Sequence, residues 1–212
     1  MQEWKPHRSS AARNASKPLL TIGATVCVLA AAVASSTGAR AQQDAPSRVD
    51  EASASARPRL ARATLEPTAG HGARGRVELV QTPDGLFVDI RLSGLTPGRH
   101  GLHIHEHGDC SAPDAASTGD HFSPADDPHG APADPAGQHH AGDLGNVTAD
   151  DSGTATGQLT ARALSLEPGA VDVVGRAVVV HAGEDDLSSQ PAGDSGEPAA
   201  CGVIELVAPR RG

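Results

Sequence analysis

Residues 76–82, RVELVQT, and residues 86–95, LFVDIRLSGL, alternate polar and apolar side chains, and Pro83-Asp84-Gly85 separates them. A period of two puts successive side chains on opposite faces of an extended strand. The pattern recurs down the chain. Thr96-Pro97-Gly98 ends the second run and HGLHIHEH (100–107) follows. DLGNVTAD and GTATGQLTA flank a turn at DDSG (150–153), and GRAVVVHA (175–182) and CGVIELVA (201–208) form two short apolar runs. No segment sustains a helical period. Short strands with regular turns predict an all-β chain, an antiparallel sandwich or barrel. Two connections, 108–142 and 182–199, are too long for hairpins, and long ordered loops on a β scaffold usually carry function.

The first forty residues do not belong to this domain. Lys5, Arg8, Arg13 and Lys17 precede an apolar stretch over 19–34, and Ala39-Arg40-Ala41 offers small residues for cleavage. This pattern reads as a secretory signal over 1–41. An uncleaved membrane anchor is the alternative, because the apolar run is nearly long enough to span a bilayer. Residues 42–58 are rich in Ala, Ser, Gln and Pro and predict a disordered linker. The folded domain is expected over 59–209. Its only aromatic residues are Phe87 and Phe122, so the core must be built from Val, Leu, Ile and Ala.

Of 17 Lys+Arg and 26 Asp+Glu in the chain, five bases and one acid lie in residues 1–41. The remainder has twelve bases, twenty-five acids, a net charge of −13 and no lysine. Nucleic acid and anionic membrane are poor partners for such a surface. Export to a periplasm or the extracellular space exposes thiols to oxidation, so Cys110 and Cys201 are expected to pair. That bridge closes a loop of about ninety residues, worth ~4 kcal/mol by loop entropy.

Nine of the eleven histidines fall between His100 and His181. On a strand, His103 and His105 share a face, whereas His100 has the opposite parity and His107 lies where the strand ends at Gly108. His121, His129, His139 and His140 lie in the long loop, followed by Asp143, and His181 ends the run AVVVH. Imidazole suits copper and zinc, and a histidine group with one carboxylate suits tetrahedral zinc.

The segments GLHIHEHGD, GDHFSP…HG, HAGDLGNVTAD, GRAVVVHAGEDDL and ACGVIEL resemble, in order and spacing, the copper–zinc superoxide dismutases over about residues 60–207. The signal sequence and the cysteine after HGD make the bacterial exported branch the nearer match. The resemblance implies an eight-stranded antiparallel Greek-key β-barrel, a monomer or homodimer, with Cys110–Cys201 as its disulfide. It implies copper on His103, His105, His121 and His181, and zinc on His121, His129, His140 and Asp143, with His121 bridging. His140 is taken over His139 because it stands three residues before the aspartate. Asp185 matches the aspartate that orients a copper histidine and a zinc histidine, here His103 and His129. The implied reaction oxidises one superoxide to dioxygen and reduces a second, with two protons, to hydrogen peroxide. In that cycle His121 leaves copper on reduction and carries a proton, and zinc holds the loop.

One family position differs. The arginine that binds the incoming anion, three residues before the second cysteine, is replaced by Pro198, next to Glu197. Residues 100–161 contain ten acids and residues 177–209 six, with no Arg or Lys in either stretch. The loops expected around the copper are therefore uncompensated in charge. This departure supports a second reading, a copper–zinc binding module or reservoir with little dismutase activity.

Overall fold

The computed structural model describes residues 59–208. The expected signal segment, linker and Pro209 boundary lie outside these residues. Eight strands form: β1 Leu60–Pro67, β2 Arg74–Thr82, β3 Gly85–Ser93, β4 Gly98–His105, β5 Asp143–Ala149, β6 Ala155–Ala161, β7 Ala177–His181 and β8 Pro198–Leu206. They close into a barrel in the order β1-β2-β3-β6-β5-β4-β7-β8, with every neighbouring pair antiparallel and β8 returning to β1. This is the all-β, eight-stranded barrel expected from the alternation and from the family resemblance. The only helix described is the single 3-10 turn Ala116–Thr118. No helix among the described residues is long and apolar enough to cross a membrane.

The alternation sets the barrel wall. In β3, Leu86, Val88, Ile90 and Leu92 are buried while the residues between them are not. β2 turns into β3 through Pro83-Asp84, with Thr82 facing Gly85. Gly85 has φ +120°, and a Cβ there would lie 2.4 Å from the carbonyl oxygen of Ala161 in the next strand, so the turn needs glycine. The sequence pattern does not announce β1 as a strand. It alternates too, burying Ala61, Ala63 and Leu65, but two of its three inward residues are alanine, a weak β signal.

β4 and β7 are buried on both faces. Leu102, Ile104, Val178 and Val180 join the barrel core. Ala177 and Val179 point outward and pack with Ala115 and the Cys110–Cys201 disulfide in a second cluster. The cysteines expected to pair do so, tying the β4–β5 connection to β8. That connection lies over the outer wall, and the outward parity of β4 carries His103 and His105.

Candidate metal centre

His103, His105, His121 and His181 each bring one donor atom within 4.8 Å of the others, and His121, His129, His140 and Asp143 do the same in a second group. His103 and His105 come from alternate positions of β4 and His181 from the end of β7. His121 is placed by an isolated bridge to His105 and by Phe122, whose amide donates to the Ile104 carbonyl at 2.8 Å. His140 and Asp143 sit where the loop re-enters the barrel at β5. There a Cβ on Gly142 would meet the Ile104 oxygen at 2.3 Å, so the HAGD sequence fits only with glycine at its third place.

Five of the six rings are held by one nitrogen and leave the other free. His105 Nδ1 donates to the Gly119 carbonyl at 2.8 Å, and His181 Nδ1 to the Gly196 carbonyl at 2.9 Å. His103 Nε2 and His129 Nε2 donate to the two oxygens of Asp185, at 2.8 and 2.9 Å. Among the described residues, the buried side-chain polar atoms without a hydrogen-bond partner are His103 Nδ1, His105 Nε2, His121 Nε2, His129 Nδ1 and His181 Nε2. Four of these five belong to the first group and His129 Nδ1 to the second. An unsatisfied buried polar group costs about 1–3 kcal/mol, and native proteins keep few of them. The four lone pairs of the first group converge and fit a ligand that accepts them, which a metal ion does.

In the second group three imidazoles surround one carboxylate oxygen. His121 Nδ1, His129 Nδ1 and His140 Nδ1 lie 2.8, 3.1 and 3.2 Å from Asp143 Oδ1, although the His129 contact does not meet hydrogen-bond geometry. These separations are close to the edge, about 3.3 Å, of a tetrahedron with zinc–nitrogen bonds of 2.0–2.1 Å. His121 presents Nδ1 to this group and Nε2 to the other, so one ring faces both.

Burial keeps the His103, His105 and His181 imidazoles neutral. It drives His103 and His105 down to about 3 and His181 to about 4, against bonds from Asp185 and backbone carbonyls that act in the opposite sense. Neutral imidazole is the metal-binding form. Burial pushes the Asp143 carboxyl up, but hydrogen bonds from His121 and His140 outweigh it and hold the group well below the usual carboxylate range. Asp185 is lowered in the same way, by His103, the Leu187 amide and His129 acting against burial.

The remaining histidines stand apart. His100 is buried and links strand ends, with Nδ1 on the His181 carbonyl and Nε2 on the Thr96 carbonyl, both at 2.8 Å. His107 is exposed, and His139 bonds the His140 carbonyl outside both groups. Several supporting residues had no sequence signal. Asn146 clamps the Asp185 backbone, donating to its carbonyl at 2.8 Å and accepting from its amide at 2.9 Å. Gln190 does the same for His129, accepting from its amide and donating to its carbonyl.

The first group opens on a cleft of about 310 Å³ whose lining includes His105, His121, His140, His181, Glu106, Asp120, Asp126 and Asp127. Among the described residues, no arginine lines it. The loops are not wholly without compensation, because arginines from outside the acid-only stretches reach them. Arg99 pairs with Glu184 at 2.5 Å, and Arg176 lies 3.5 Å over the Phe122 ring and donates to the Glu106 carbonyl at 2.7 Å. Pro198 opens β8 opposite His181, and the Glu197 carboxylate is exposed, 3.7 Å from His71.

A family model for copper/zinc superoxide dismutase matches residues 73–204. The chain belongs to that family. The crystal structure of the clock protein EA4 is also similar, with a TM-score of 0.63 at 38% sequence identity, covering 71% of this chain and 96% of that one. Membership in the superoxide dismutase family accounts for both donor groups, since their residue types suit copper and zinc.

Proposed function

We propose that this chain dismutates superoxide to dioxygen and hydrogen peroxide, with copper held by His103, His105, His121 and His181 and zinc by His121, His129, His140 and Asp143. The observation that carries the reading is the set of four partnerless nitrogens on His103, His105, His121 and His181, which share His121 with the His₃Asp group. Bound copper would supply the one-electron couple for both half-reactions. The chain's own residues do the rest. Asp185 fixes the His103 and His129 rings together, as outer carboxylates commonly do for metal-binding histidines. The carbonyls of Gly119 and Gly196 fix His105 and His181 so that Nε2 is the free atom. His121 Nε2 lies where a proton can be held and passed into the cleft, while its Nδ1 stays on the Asp143 side.

A second reading, a copper–zinc reservoir with little turnover, is favoured by Pro198 in the anion-binding position and by the acid-lined cleft. The fold, at 38% identity, also serves a protein known as a clock protein, so family membership alone does not fix the activity. Dismutation rate per bound copper, measured with metal content on the same sample, separates the two. The dismutase reading expects a rate proportional to copper. A fully loaded protein that does not dismutate superoxide turns the reading to the reservoir.

The same proposal takes residues 1–41 as a cleaved signal, 42–58 as a linker and 59–209 as the domain. It places the protein, monomer or homodimer, in a periplasm or outside the cell, within the bacterial exported branch. The Cys110–Cys201 bridge supports an oxidising compartment. Trp4 is the only tryptophan and there is no tyrosine. Processed protein should therefore absorb very weakly at 280 nm, and a strong band there from pure protein means the N-terminus was kept.

A further inference from the structure

We propose that the acid-rich mouth of the cleft is a capture site for the incoming copper cation, which steers the metal onto His105, His121 and His181. The inference rests on the proposed copper set. Glu106, Asp120, Asp126 and Asp127 line the same cleft as these three histidines. Only Glu106 has an ion-pair partner among the described residues, His107 at 3.9 Å, and no arginine side chain pairs with any of the four. The second observation is independent of the acids. His105, His121 and His181 are each more than nine-tenths buried, line the cleft, and carry an Nε2 atom with no partner. A cleft lined by one sign of charge focuses its field on the opposite sign, raising on-rates by about 10 to 10³. The species this field attracts is a divalent cation, and the donors behind it suit copper. The same field opposes superoxide, so the mouth is arranged for acquiring the metal rather than for admitting the anion.

The test is the rate at which zinc-loaded, copper-free protein takes up aqueous Cu(II), followed by stopped-flow visible absorption, with final metal content measured. Three exposed mouth acids are neutralised together, Glu106→Gln, Asp120→Asn and Asp126→Asn. Asp126 has a positive φ of 54°, which asparagine tolerates. The control neutralises three exposed acids that do not line the cleft, Asp84→Asn, Asp151→Asn and Glu205→Gln. At low ionic strength the mouth variant should load about 10-fold slower or more, reach the same copper content, and converge on wild type in high salt. The control should stay within about twofold of wild type, well inside that steering range. Equal loading by wild type and mouth variant at low salt overturns the proposal. So does equal slowing by the control, which would make net charge the cause, and so does failure of wild type to take up copper at all. Full, charge-dependent loading without dismutation overturns the dismutase reading and leaves the capture site standing.

Discussion

Asp185 is the residue through which the two donor groups are mechanically one. Its carboxylate holds His103 on one side and His129 on the other, and its own backbone is pinned by Asn146. Gly193 makes room for this arrangement. Its φ is +68°, and a Cβ there would lie 1.9 Å from Asp185 Oδ1 and 2.6 Å from His129 Nε2. Asp185→Ala and Gly193→Ala should therefore each weaken copper and zinc binding by about 10–100-fold without removing a ligand. Competition against a chelator of known affinity reads this directly, and unchanged affinity in both variants would refute the orienting role. Ligand choice is testable in the adjacent pair. His140→Ala should lose zinc, whereas His139→Ala should keep it, because His139 bonds the His140 carbonyl outside the group. The reverse pattern would mean that the zinc set is misassigned. The donors themselves were legible because a motif fixes their spacing. Asn146, Gln190 and Gly193 were not, since side-chain bonds to backbone and the close approach of a missing Cβ leave no periodic trace in sequence.

At the scale of elements, parity in β4 does most of the positioning. Leu102 and Ile104 fill the barrel while His103 and His105 face outward under the loop. The sequence shows that these histidines share a face. Which face it is depends on a 37-residue connection, Glu106–Gly142, folding over the outer wall, and no local pattern reports that. β1 is faint in the sequence for a related reason, as Ala61 and Ala63 are buried by their neighbours rather than by any preference of their own. The loop's anchor is the Cys110–Cys201 bridge, packed on Ala115 and Val179. It spans 91 residues, so reduction should cost ~4 kcal/mol through the unfolded state. For a domain of this size that lowers Tm by roughly 10 °C. Calorimetry of the metal-free protein with and without reductant checks this, and a Tm unmoved by confirmed reduction would show that the loop is held by packing alone. Mass spectrometry after alkylation should find both thiols blocked before reduction.

Over the whole molecule the decisive property is where charge is absent. Among the described residues, Arg62, Arg74, Arg76 and Arg91 sit on β1–β3, and Arg99 and Arg176, which approach the loops, contact Glu184 and the Glu106 carbonyl instead of lining the cleft. The acid runs make this asymmetry legible in the sequence, but the approach of Arg99 and Arg176 depends on the three-dimensional packing. A dismutase whose substrate anion must cross an acid-lined mouth should gain from screening, which weakens repulsion beyond about 8 Å at physiological ionic strength. The dismutation rate should rise or stay flat with added salt, while copper loading falls, because the two species carry opposite charge. Pro198→Arg puts a cation at the start of β8 opposite His181, where the family binds the incoming anion. It should raise the second-order rate toward the 10 to 10³ range of electrostatic steering and reverse its salt slope. The proline ring also fixes φ at the strand start, so Pro198→Ala separates backbone from charge. A gain with arginine and none with alanine identifies a steering defect in a working enzyme. Equal gains with both would trace the slow rate to the rigid strand start. No activity in any of the three proteins, with copper confirmed in the site, would leave metal storage as the function of this fold.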